Sequence, residues 1–231
     1  MAYTLTFGSV ASSTYSVEAL DKPTMLGQAA RDVSVVSVPG RNGAITIDNG
    51  RWTEFTESYT IHGALADVES FRADLAALKG AEAELTDTFD TTHLRLGRFI
   101  SAFSLSRSDP SSCTATLNFL CRPERFLKSA WTYTAVSNGA TLTNPTKFTA
   151  KPNIKGTGSG TITIGGKTMT ITGYSGNWLI DCDTRDVTSQ DGLTNLNQYA
   201  SGDFPEIPSG SNTITITGAT SVSVMPRYWT L

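Results

Sequence analysis

The sequence predicts a mainly β chain in two parts, with one helix in the first part. Three observations carry this reading. Small hydroxyl residues are abundant, 34 Thr and 24 Ser among 231 residues, beside 20 Gly. Thr and the aromatic residues suit a pleated, half-buried surface. Apolar and polar residues alternate over short runs that end at Gly, Pro or Asn turn signals. Charge is also unevenly spread. Residues 1–130 hold 12 basic and 15 acidic side chains, and residues 131–231 hold six of each. A boundary near Phe126–Thr134 therefore separates an ordinary, mildly acidic part, 1–130, from a charge-poor part, 131–231.

Composition excludes several classes. Only 17% of residues are charged, against about 25% in an ordinary soluble domain. That is too few for a coiled coil or a highly charged disordered chain. A net charge of −3 argues against a basic nucleic-acid binder. Met1 to Val10 has no basic start and alternates, so it does not read as a signal peptide. No apolar run reaches the roughly 18 residues of a membrane helix. Cys113 and Cys121 fall on one strand, about 26 Å apart at 3.3 Å per residue, which is too far for a disulfide. Together with Cys182 they read as reduced core thiols made in a reducing cytoplasm.

Each element has its own signal in the first part. Asp32 to Val38 is a Val/Ser strand. It ends at Pro39-Gly40-Arg41-Asn42-Gly43, where Gly and Asn tolerate positive φ. Ala44 to Asp48 runs back, so the pair is a hairpin. Phe55, Tyr59 and Ile61 share strand parity, with the charged Glu57 as the exception. Asp67 to Lys79 places Val68, Phe71, Leu75 and Leu78 at helical spacing, with Asp67 as N-cap and Gly80 as the left-handed cap. Phe99, Phe103 and Leu105 mark a further strand. Ala115, Leu117, Phe119 and Cys121 give the cleanest alternation.

In the second part, Thr161 to Ile164 and Lys167 to Thr172 flank Gly165-Gly166, the signature of a type I′ hairpin. Trp178 to Asp183, Asn212 to Thr217 and Ser221 to Val224 are further strands. Their spacing predicts an antiparallel sandwich.

No catalytic constellation is legible. There are two histidines, His62 and His93, and no G-x-S-x-G elbow. Gly156-Thr157-Gly158-Ser159-Gly160 lacks the third glycine and the following helix of a dinucleotide loop. Asp181, Asp183, Asp186 and Asp191 do not meet the calcium-loop pattern. Trp52, Trp131, Trp178 and Trp229 read as core or interface residues. No enzyme, metal or cofactor is expected, and the residues alone point to a binding or assembly component.

Five stretches add a resemblance. They are Val36 to Gly43 (V-S-V-P-G-R-N-G), Leu117 to Pro123 (L-N-F-L-C-R-P), Asn144-Pro145 through Lys151 to Gly158, Leu179 to Asp183 (L-I-D-C-D), and Phe204 to Asn212 with Arg227 beyond. In this order they resemble the distal tail proteins of long-tailed, non-contractile bacteriophages. The resemblance implies a tail-tube-like split β-barrel with one α-helix over 1–130 and a galectin-like β-sandwich over 131–231. It implies a virion protein that forms a homo-hexameric ring and is assembled in the host cytoplasm. Its partners would be the tail-tube protein above and tail-tip, baseplate and receptor-binding proteins below. DNA would pass through without specific binding, and no membrane insertion is expected.

Pro39, Gly40, Arg41, Asn42, Gly43 and Arg51 are then the expected subunit-interface residues. Glu54, Glu57, Asp87 and Asp90 are the expected channel-lining acids. A carbohydrate-binding adsorption module, a tail-tube subunit and a hydrolase are the competing readings.

Overall fold

In a computed structural model of the protein, which describes residues 3–21, 29–100, 104–107, 109 and 111–231, short antiparallel strands joined by tight turns dominate. The chain divides into two units, Met1–Arg125 with Leu231, and Phe126–Thr230.

The first unit carries β1 (Leu5–Phe7), β2 (Val10–Ala11), β3 (Glu18–Asp21), β4 (Arg31–Ser37), β5 (Ala44–Trp52), β6 (Phe55–Ala64), α1 (Leu65–Ala77), β7 (Ala83–Asp87), β8 (His93–Phe99), β9 (Ser104–Arg107) and β10 (Ser112–Leu127), whose last two residues belong to the second unit. One sheet runs β2-β1-β7-β8-β10-β6-β3, with β9 also paired to β10. It is an open path, with β2 and β3 at its two ends. Its spine is the long pairing of β10 with β6, from Ser112↔Ala64 to Cys121↔Phe55. This register sends Cys113, Ala115, Leu117, Phe119 and Cys121 inward, against Tyr59 and Ile61. The inward parity matches the alternation in the sequence. All three cysteines are buried and unbridged.

Helix α1 begins two residues before the Asp67 cap expected from sequence. Ala64, in extended conformation, is the N-cap, and the Leu65 amide donates to the Ser111 carbonyl at 3.2 Å. A distant carbonyl therefore satisfies a first-turn amide, where sequence reasoning expected a local side chain to cap the helix further along. Asp67 lies in the first turn, where its charge favours the helix dipole. Val68, Phe71 and Leu75 are fully buried in the core beside Phe7, Phe119 and Leu117. At the other end both Lys79 and Gly80 take positive φ. The strand expected through Phe99 and Leu105 is two elements, because β8 ends at Phe99 and Leu105 lies in β9. Phe103 falls outside the described residues.

The second unit carries β11 (Thr134–Ala135), β12 (Thr141–Asn144), β13 (Asn153–Thr157), β14 (Gly160–Ile164), β15 (Lys167–Ile171), β16 (Asn177–Asp181), β17 (Asp186–Ser189), β18 (Ala200–Gly202), β19 (Gly210–Thr213), β20 (Thr215–Thr217), β21 (Thr220–Met225) and β22 (Trp229–Thr230). Five strands pair in the order β11-β21-β13-β16-β17, and four in the order β18-β15-β14-β20. Inward residues of both sheets share one core. Ile154, Trp178, Ile180, Val187 and Val224 come from the first, and Ile162, Ile164, Met169 and Ile171 from the second. Gly165 and Gly166 both have positive φ between β14 and β15, as a type I′ turn requires.

Asn212 to Thr217, a single strand by alternation, breaks at Ile214. The buried Ile214 exchanges backbone hydrogen bonds with Gly139 and Ala140. The chain thereby passes from β19, paired with β12, to β20, paired with β14.

Two features lock this core. The Trp178 ring lies across Gly156 of the neighbouring strand, so close that a Cβ there would sit 2.3 Å from it. The indole Nε1 donates to the Gly158 carbonyl at 2.8 Å. Arg227, itself at positive φ, is buried. It donates to Asn153 at 2.8 Å and Asp181 at 3.1 Å and lies over the Trp131 ring.

Candidate functional site

The hairpin of β4 and β5 is the most unusual feature of the first unit. Register runs from Ser37↔Ala44 through Val35↔Thr46 to Val33↔Asp48, then shifts before Arg31↔Trp52. At the tip, Arg41 N–H donates to the Val38 carbonyl at 3.2 Å, and Gly40 has φ 78°. Pro at the second turn position and a positive-φ Gly at the third give a type II turn. Gly43, at φ 83°, returns the chain into β5. Pro39, Gly40, Arg41, Asn42 and Gly43 thus form one exposed tip.

Charge organises the root. Arg51 Nε lies 2.6 Å from Asp32, and Arg31 Nε lies 2.9 Å from Asp48. Asn49 donates to Asp32 at 3.0 Å. Hydrogen bonds from Asn49 and then Arg51 hold the Asp32 carboxyl below its ordinary range. The Gly50 amide, followed by Arg31, does the same for Asp48. The Arg31 guanidinium also lies over the Trp52 ring.

Between root and tip the hairpin is apolar on both faces. Cross-strand partners share a face, so Val36, Ile45 and Ile47 lie on one side and Val33 and Val35 on the other. All five are exposed, Val35 by 65% and Ile47 by 50%. Among the described residues β4 and β5 pair only with each other. An isolated two-stranded hairpin is marginal in water, and clustered exposed apolar side chains mark a surface meant to be covered.

The four acids have different environments. Glu54 is exposed between β5 and β6. Glu57 is 1% exposed and pairs with the buried Arg95 at 2.8 Å. Strand parity explains this burial, since Glu57 shares the inward side of β6 with Phe55, Tyr59 and Ile61. Asp87 is buried and accepts the Tyr59 hydroxyl at 2.6 Å. Burial, followed by the charges of Glu57 and Asp87, pushes the Tyr59 hydroxyl far up. Asp90 accepts from Arg125 at 2.6 Å and lies 3.1 Å from His93 Nδ1. The space beside this network is about 10 Å³, enough for a water molecule but not a ligand.

The Asp90 network implies a pH dependence. Partial burial raises the carboxyl, but hydrogen bonds from Arg125, Thr92 and His93 outweigh it and lower the group well below its ordinary value. A lowered folded-state pKa contributes stability that is present above the unfolded value of about 3.9 and is lost as pH falls below it. Asp90→Asn is therefore expected to lower the urea midpoint at pH 7 and to narrow its gap from the parent at pH 3. Paired denaturation curves check this.

Other residues that sequence reasoning singled out are held in structural roles. Asp181 and Asp183 pair with Arg227, Asp183 also pairs with Lys151, Asp186 accepts from Asn197, and Asp191 accepts from Ser189. Among the described residues no cluster of three His, Cys, Asp or Glu could hold a metal. Trp178 is buried, Trp131 packs on Phe126, and Trp229 stacks on Phe148. No described helix is long and apolar enough to cross a membrane.

No protein-family model and no curated protein matches the chain. A solved structure does match. The chain superposes on the crystal structure of SPP1 Dit (gp 19.1), described as a paradigm of hub adsorption apparatus in Gram-positive infecting phages, with TM-score 0.63 and 12% identity over 97% of both chains. Over nearly its whole length, then, this mainly β chain has the fold of that phage protein.

Proposed function

We propose that the chain is a structural component of a phage tail tip, a distal tail hub. It forms a hexameric ring that joins the end of the tail tube to the tail-tip or baseplate and receptor-binding proteins. The observation that carries this is the β4–β5 hairpin, apolar on both faces and, among the described residues, paired with no third strand. A closed ring needs heterologous contacts, and such a hairpin supplies both bare strand edges and apolar area to a neighbour. The fold shared with SPP1 Dit supports the same reading.

In this reading the first unit is the ring-forming, split-barrel part and the second a galectin-like sandwich. The tip from Pro39 to Gly43 reaches a neighbouring subunit, and Arg41 and Arg51 contribute interfacial cations. The lumen passes DNA without holding it, so it carries acidic charge. Glu54, exposed between β5 and β6, would contribute there. Asp87, Asp90 and Glu57 would contribute through the field of the wall, since each is partnered within it.

The test is a double substitution on opposite faces of the hairpin, Val35→Glu with Ile47→Glu. Both positions are exposed, so the chain is expected to fold as before. Light scattering is expected to show the mass falling from a hexamer to a single chain. An unchanged hexamer would sink the hairpin's role in the ring.

A further inference from the structure

At one open side of the second unit, two adjoining depressions of about 170 and 250 Å³ share Arg185, Gly202 and Phe204. They lie between edge strand β18 and the turn that leads into β17, each an edge of its own sheet. The rims are polar. Lys167 and Glu206 form an ion pair at 2.7 Å. The exposed side chains of Arg185 and Asp203 form no ion pair among the described residues. Asn197 is held in place by donating to Asp186 at 2.6 Å and accepting from the Val187 amide at 2.8 Å. Ser201 adds a hydroxyl, and Phe204 a half-buried ring. Gly202 is required here, because a Cβ would meet the Thr168 carbonyl at 2.3 Å.

A second observation concerns Arg185 alone. It occupies φ 58° in the turn between β16 and β17. An L side chain in this region is strained, and Gly would avoid the strain. Backbone strain of this kind collects at functional sites. The turn carries a long cationic residue where the fold would favour no side chain at all, and Arg185 lines both depressions.

We propose that this groove binds a neutral saccharide, one or two pyranose units long. Unpaired donors and acceptors of both signs match sugar hydroxyls, which donate and accept. The Phe204 ring offers a face for the apolar side of a pyranose. An anionic ligand would meet Asp203 and Glu206, and an apolar ligand would strip water from four charged groups without replacing it. The proposal does not depend on ring formation.

The test uses the full chain, with maltose, lactose and N,N′-diacetylchitobiose as probes and glycerol 3-phosphate as the anionic control. Saturation-transfer NMR is expected to show contact with at least one disaccharide and none with glycerol 3-phosphate. Arg185→Gly is expected to weaken that binding by about tenfold or more, the loss of one charged hydrogen bond. Its melting temperature should equal or exceed the parent's. Asp203→Asn tests the acceptor side and should weaken binding in the same assay. No contact with any disaccharide, contact with glycerol 3-phosphate alone, or undiminished binding in Arg185→Gly would overturn the proposal. So would a lower melting temperature for Arg185→Gly, since that would make Arg185 a structural residue.

Discussion

Replacing Arg95 by Met is expected to destabilise the first unit by about 3–5 kcal/mol. Arg95 and Glu57 are both buried and meet at 2.8 Å, and the Arg95 guanidinium also lies over the Phe55 ring at 4.6 Å. Met keeps much of the packing of the arginine stem. The loss therefore comes mainly from leaving the Glu57 carboxylate in the core without its guanidinium. Glu57→Leu together with Arg95→Met is expected to recover most of the stability, because an apolar pair of similar volume replaces a desolvated ion pair at little or no net cost. Calorimetric unfolding of the parent, the single variant and the double variant checks both statements. A loss below about 1 kcal/mol in the single variant would mean that water reaches Glu57.

Trp178→Ala carries a comparable effect in the second unit, about 3–5 kcal/mol. The side chain is fully buried between the two sheets, and its indole N–H is satisfied by the Gly158 carbonyl. Truncation opens a cavity and leaves that carbonyl without its donor. Gly156→Ala is expected to be costly in the parent, since the new methyl would enter the indole ring. In the Trp178→Ala background the same change should cost little, because the methyl then fills vacated space. Such non-additivity is the mark of residues in direct contact. A double-mutant cycle by urea denaturation, followed by far-UV circular dichroism, measures it. Additive losses would contradict the contact.

Local chemistry made much of this fold readable. Gly165-Gly166 and Pro39-Gly40 name their own turns, since few residues accept positive φ, and both turns form where the sequence places them. Alternation gave the inward face of β10 correctly. It also held the clue to Glu57, whose inward parity outweighed its charge because Arg95 supplies a buried partner. That partner lies on another strand, so no local window reveals it. The same limit hid the start of α1, where Ser111 satisfies Leu65 across the fold. It hid the break at Ile214 as well, where a strand that looks continuous changes sheets. The saccharide groove was out of reach for a related reason. Arg185, Asn197 and Asp203 come from three segments, and none of them forms a motif.

The hairpin is the reverse case. Its turn was legible, but its two exposed apolar faces were not, because alternation in a sequence shows that faces differ and not whether either is covered. Those faces are what would hold one subunit to the next in a ring. Negative-stain electron microscopy of the purified chain tests this arrangement most directly. Closed six-fold rings with a central opening, single or paired, are expected. Isolated single chains, or long stacked tubes, would contradict it.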